Sequence, residues 1–129
     1  MKRLLALLAF LVFAAPAWAA NEWAFAPSGP TVLVDTTARQ VLSSGGTPTM
    51  SYRVRNLGAT TAYFTWATPN NAGGGAPTGL SAAAPTAGVP AANVIGMLPQ
   101  SVETFTLPSN AWFQAGTTFT FEVTPGEGR

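Results

Sequence analysis

Residues 117–124 place oily and polar side chains in alternation. Phe119, Phe121 and Val123 fall on one side of an extended chain, and Thr118, Thr120, Glu122 and Thr124 on the other. A period of two is the repeat of a β-strand, whose successive side chains point to opposite faces. Burying a Phe or Val contributes roughly 1.5–3 kcal/mol. A one-residue slip would turn all three apolar side chains into water. The penalty is several kcal/mol, comparable to a whole domain's net stability of about 5–15 kcal/mol, so the register of this strand is well specified.

The same pattern recurs along the chain. Residues 31–34 and 39–42 form short runs bounded by Gly, Pro and Ser. In 49–56, Met50, Tyr52 and Val54 share one face, and Ser51, Arg53 and Arg55 the other. Asn56-Leu57-Gly58 reads as a turn into a strand at 60–67, where Phe64 and Trp66 share a face, so 49–67 is expected to be a hairpin. Further strands are expected at 101–107 and 111–114, and the strand at 117–124 is expected to stop at Pro125-Gly126. No segment after the N-terminal stretch has a sustained helical period. Residues 81–92 are rich in Ala but contain Pro85, Gly88 and Pro90, and inside a helix those cost about 3 kcal/mol per Pro and about 1 per Gly. The fold class this predicts is all-β: a small antiparallel β-sandwich, jelly-roll or Greek-key-like, preceded by an N-terminal signal helix.

The N-terminus has its own logic. Lys2 and Arg3 precede an unbroken apolar run over 4–15, Pro16 interrupts it, and Ala17-Trp18-Ala19 offers small residues where a signal peptidase reads. As a helix, the twelve-residue run reaches about 18 Å, short of a hydrocarbon core of about 30 Å. Residues 1–19 are therefore read as a secretory signal, with an uncleaved membrane anchor as the competing reading. Either way the chain is expected to be exported to the periplasm, cell surface or medium. Residues 20–30 are read as an N-terminal arm and 31–129 as the β-domain. The 110 residues after Ala19 are enough for one independent core.

Composition narrows the chemistry. The chain has no Cys and no His, which removes Ser-His and Cys-His nucleophiles and the usual zinc ligands. Its one Lys is Lys2. After residue 19 the bases are Arg39, Arg53, Arg55 and Arg129, against Glu22, Asp35, Glu103, Glu122 and Glu127. A net charge of −1 is not the basic footprint that nucleic-acid binding demands. Glu103 and Glu122 could form a glycosidase-like pair, but they read more simply as solvated acids facing Arg53 or Arg55 across a sheet. The expectation is a protein that is not an enzyme, with no catalytic residue, no metal and no cofactor.

Residues 68–92 stand apart. They are mostly Ala, Gly, Pro, Thr and Asn, with Gly73-Gly74-Gly75 in the middle, and no charged residue occurs between Arg55 and Glu103. A loop of this length inside a compact domain is usually functional or disordered. An uncharged one suits packing against another chain; a flexible excursion without a role is the alternative. Gly73-Gly74-Gly75 lacks the Lys and helix of a phosphate-binding loop. Trp23, Trp66 and Trp112 could stack on sugar rings, although aromatic residues at alternate strand positions usually belong to the core.

The order of several segments carries a resemblance. Arg53-Val54-Arg55-Asn56-Leu57-Gly58 is followed by Ala62-Tyr63-Phe64. Met97-Leu98-Pro99-Gln100-Ser101-Val102-Glu103-Thr104-Phe105-Thr106-Leu107-Pro108 comes next, then Asn110-Ala111-Trp112-Phe113-Gln114-Ala115. Val123-Thr124-Pro125-Gly126-Glu127-Gly128 closes the chain. Between residues 31 and 128 this resembles small β-sandwich proteins of tailed phages and prophages, accessory proteins of the virion surface such as head decoration proteins. The resemblance implies a non-enzymatic domain that docks on other virion proteins, often as an oligomer, with the virion as the alternative location. The expected partners are other protein subunits, through self-association or docking on a larger assembly. No nucleic acid is expected, and a membrane only through an uncleaved N-terminus. The expected contact surface comprises Asn56, Trp112, Phe113, Gly73, Gly74 and Gly75. An exported cell-surface or carbohydrate-binding module is the alternative function.

Overall fold

The computed structural model describes residues 24–44, 49–69, 76–89, 93–116 and 120–127. The expected signal helix at 1–19, Trp23, Gly73-Gly74-Gly75 and Phe119 lie outside the described residues. The described part is all-β, with two antiparallel sheets and no helix. Nine strands occur: β1 Ala26–Pro27, β2 Val32–Val34, β3 Arg39–Gln40, β4 Thr49–Asn56, β5 Ala62–Ala67, β6 Val94–Met97, β7 Val102–Pro108, β8 Trp112–Ala115 and β9 Phe121–Glu127. Sheet A runs β1-β9-β4-β7, with β2 also on the β1 side of β9; sheet B runs β3-β8-β5-β6.

The alternation read from the sequence becomes the inner face of each sheet. Met50, Tyr52 and Val54 of β4, Phe121 and Val123 of β9, Val34 and Leu107 come from sheet A. Ala62, Phe64, Met97, Phe113 and Ala115 come from sheet B, and all are buried in one cluster. Aromatic rings join the two layers. Tyr52 meets Phe113 edge-on with centroids 5.1 Å apart, and Phe64 meets Phe121 at 5.3 Å and Phe105 at 5.6 Å. These separations suit edge-to-face pairs, which add about 0.5–1.5 kcal/mol beyond burial.

The expected hairpin over 49–67 does not form. Strand β4 pairs with β7 and β9 in sheet A, while β5 pairs with β6 and β8 in sheet B. The connection between them is an arch that crosses from one layer to the other. Its cause is Asn56, which is fully buried. The Nδ2 group donates to the carbonyls of Thr60 at 2.9 Å, Leu98 at 2.9 Å and Met97 at 3.3 Å, while Oδ1 accepts from the Gly58 N–H at 2.8 Å. A hairpin would leave those carbonyls without this donor. Tyr52, two turns of the pleat earlier on β4, holds a second crossing. Its hydroxyl donates to the Pro108 carbonyl at 3.0 Å and accepts from the Ala111 N–H at 3.2 Å, closing the corner between β7 and β8. Among the described strands from β2 onward, only β5 and β6 are successive strands of the same sheet.

Strand β9 also departs from expectation by running through Pro125 and Gly126 to Glu127. Proline cannot donate to a ladder, but here it stands opposite the break between β1 and β2. Pro27 is in register with Gly126 and Val32 with Val123, so the intervening chain leaves β9 beside Pro125. The Pro125 carbonyl still accepts the Ser28 N–H at 2.9 Å. Gly126 has a steric reason of its own: a Cβ there would lie 2.5 Å from the Ala26 carbonyl and run into the Phe25 ring. The short strand β6, preceded by Asn93 with φ 55, was not anticipated from periodicity.

Candidate functional site

The two outer faces differ in chemistry. On sheet A the outward residues of β4 and β9 are Arg53, Arg55, Glu122 and Thr124, with Arg55 in register with Glu122. Their side chains form an ion pair at 3.5 Å, both half-exposed, so it contributes little stability. Of the two acids expected to face arginines across the sheet, Glu122 does so, whereas Glu103 is in register with Val54. Arg53 sits over the Phe25 ring, 5.0 Å from its centroid. Together with Thr31 and Gln100 these residues border a shallow polar depression of about 500 Å³.

On sheet B the inward set Phe64, Trp66 and Phe113 leaves Tyr63, Thr65, Ala67, Val94, Gly96, Trp112 and Gln114 outward. None of these is charged. Arg39, on the edge strand β3, is in register with inward-facing Phe113 and pairs with Asp35 at 3.3 Å. The Thr37 N–H and the Arg39 guanidinium hold the Asp35 carboxyl below its ordinary value. Among the described residues, every charged side chain other than Arg39, on the edge strand β3 of sheet B, therefore lies on sheet A or, as Asp35, between β2 and β3.

The described part of the excursion, residues 76–89, lies over part of this face. Residues 76–89 cross sheet B, which leaves Thr65 only 2% exposed although it points away from the core, and buries Ala82. Leu80, Ser81 and Ala83 approach Gln114 and Gly116 at one end of the crossing. Between the excursion and the sheet runs a groove of about 460 Å³, bordered by Thr65, Ala67, Leu80, Pro85, Val89 and Val94. Val89 is exposed at its rim. A turn closed by the Val89 N–H on the Thr86 carbonyl at 2.9 Å, with Gly88 at φ 78, returns the chain toward β6.

The expected contact residues separate. Asn56 is buried and fully engaged in the arch, and Phe113 is a core residue at 0% exposure. The physical reason is parity: Phe113 is in register with Trp66 and Arg39 on the inner side, and Asn56 faces the crossing it holds. Neither side chain has surface to offer. Trp112 is half-buried on the outer face, with its indole Nε1 enclosed and without a hydrogen-bond partner among the described residues. Trp66 packs against the core.

Sequence reasoning missed the β6 edge. The five-residue apolar run Val94-Ile95-Gly96-Met97-Leu98, bounded by Asn93 and Pro99, was the available signal. Among the described residues, no three His, Cys, Asp or Glu side chains gather where they could hold a metal ion. Compared with known proteins, the chain matches no family model, no curated protein and no solved structure.

Proposed function

We propose that this chain is a non-enzymatic structural subunit: an exported β-sandwich with Greek-key crossings that docks on a larger protein assembly, as a virion decoration protein would. The observation that carries this reading is the segregation of charge. One broad face, the outer side of β5, β6 and β8 with the excursion laid over it, has no charged side chain among the described residues, while the other carries Arg53, Arg55 and Glu122. Charge depletion at the centre with a polar surround is the composition of a protein interface. A free surface is more commonly mixed in charge.

The reading is tested in the cells that make the protein. The chain is expected to sediment with a large particle at a fixed ratio, and cross-links from that particle are expected to map to residues 76–89. Recovery of the chain only as a free small protein, with no particle-bound fraction, rejects the proposal. Sugar binding on a glycan array that disappears in Trp112→Ala also rejects it, in favour of a carbohydrate-binding module. Export is tested separately by the N-terminus of the secreted chain, expected at Ala20 or Asn21. An intact Met1 in the exported fraction indicates an anchor instead.

A further inference from the structure

We propose that the β6 edge of sheet B, which pairs only with β5 among the described residues, is a self-association surface, where the β6 strands of two copies pair antiparallel about a two-fold axis through Gly96. The proposal rests on the reading of the chain as an assembly subunit and supplies a partner for it, a second copy.

An edge strand exposes unpaired N–H and C=O groups, and folded proteins ordinarily guard such edges with charge, proline, bulges or brevity. Three of the four edge positions here are guarded. Strand β7, the open edge of sheet A, carries Glu103 in register with the core residue Val54. Adding a strand there would bring a carboxylate into line with the buried row. The opposite edge of sheet A is split between β1 and β2 and contains Pro27. The far edge of sheet B, β3, is two residues long and carries Arg39. Strand β6 has no charge and no proline, and Leu98 extends its apolar run by one residue.

The sequence of β6 is also self-complementary in one register. Antiparallel neighbours directly opposite must share a face, so a two-fold axis has to pass through a residue rather than between two. Centred on Gly96, Ile95 of one copy stands opposite Met97 of the other, and Val94 opposite Leu98. The inner row, half-buried Ile95 and buried Met97, then continues the core across the junction. The outer row covers Leu98, which is 66% exposed in the single chain. Glycine at the axis meets another glycine, and its own outer side is already occupied by the Tyr63 ring, 2.9 Å from where a Cβ would lie. An axis through Ile95 fits less well. It would set Met97 against Asn93, whose φ of 55 takes the backbone out of strand geometry. The outer residues flanking the edge, Tyr63, Thr65 and Val94, bring no like charges together.

Sedimentation velocity over a concentration series tests this. The wild-type chain is expected to sediment as a dimer. Val94→Lys combined with Leu98→Lys sets like charges opposite each other at both ends of the contact, and should weaken dimerisation about tenfold or more. Val94→Lys combined with Leu98→Glu sets opposite charges there and should restore the dimer, with a new sensitivity to salt. Leu98→Lys alone, at an exposed site that leaves folding intact by far-UV circular dichroism, should shift the equilibrium in the same direction as the first pair. Val102→Lys on the β7 edge should not. A wild-type chain that stays monomeric throughout overturns the proposal, as does a dimer in which the two double variants behave alike while folded. A monomer that nevertheless sediments with its particle removes this contact and leaves the assembly reading standing. A β6-dependent dimer never found with a particle does the reverse.

Discussion

Replacing Asn56 with Ala removes the side chain that holds the arch between β4 and β5. Three of its hydrogen bonds are short: Gly58 N–H at 2.8 Å, and the Thr60 and Leu98 carbonyls at 2.9 Å. Each intramolecular bond contributes about 0.5–1.5 kcal/mol net, and a buried group left unpaired costs about 1–3 kcal/mol. With the longer bond to Met97 discounted, the expected loss is about 3–4 kcal/mol. For a domain of this size about 1 kcal/mol moves Tm by roughly 4–8 °C, so Tm should fall by some 12 °C or more. Urea unfolding followed by tryptophan fluorescence should show the lower midpoint with an unchanged slope. Asn56→Asp separates donor from acceptor. The carboxylate can still accept from Gly58 but faces three carbonyls, so its pKa in the folded state must lie above that in the unfolded state. Its penalty should therefore be largest at neutral pH and shrink on acidification through the folded-state pKa, where the protonated form regains a donor. A loss below about 1 kcal/mol in Asn56→Ala, or an Asp variant indifferent to pH, would refute the assignment of the arch to this side chain.

Tyr52→Phe should destabilise by about 1–3 kcal/mol, because the Pro108 carbonyl and the Ala111 N–H lose their shared partner. Burial raises the Tyr52 pKa above its ordinary 10.0, the hydrogen bond from the Ala111 N–H opposing the shift. Its stabilising share is thus complete below 10.0 and lost as pH rises toward the folded-state value, so ultraviolet titration should show one of the two tyrosines ionising only with alkaline unfolding, a step absent from the Phe variant. Gly126→Ala should displace Phe25 and β1 and cost about 1–3 kcal/mol by overpacking, with faster amide exchange confined to residues 24–28; unchanged exchange there would refute the close packing of Phe25 on Gly126. Asp35, held below its ordinary value of 3.8, contributes a share present above that value and lost as pH falls through its folded-state pKa. Asp35→Asn should flatten the acid limb of the stability curve slightly, and an unchanged limb would show that the Thr37 and Arg39 contacts do not survive in solution.

Much of the architecture was readable before any coordinates. The inward sets Met50, Tyr52, Val54 and Phe121, Val123 follow from parity alone, because an extended backbone sends successive side chains to opposite sides wherever it is placed. The candidate surface was less readable. Phe113 and Asn56 are among the expected contact residues, yet one points into the core and the other plugs an arch. The absence of charge between Arg55 and Glu103 was visible in the chain. That its outward-facing residues on β5 and β6 would lie on a different sheet from Arg53 and Arg55 was not, since β5 and β6 follow the point at which the chain changes sheets.

What the sequence determined by itself is local: which segments extend, and which side of each is oily. These depend on neighbours one and two residues apart. Which sheet a strand joins was decided only in three dimensions. Asn56 and Tyr52 each bond backbone groups some 40 to 60 residues away, and those bonds exist only once the distant strands have arrived. A turn such as Asn56-Leu57-Gly58 reads the same whether it reverses the chain within a sheet or carries it across to the next. The choice belongs to the buried polar groups that must find partners inside the finished core.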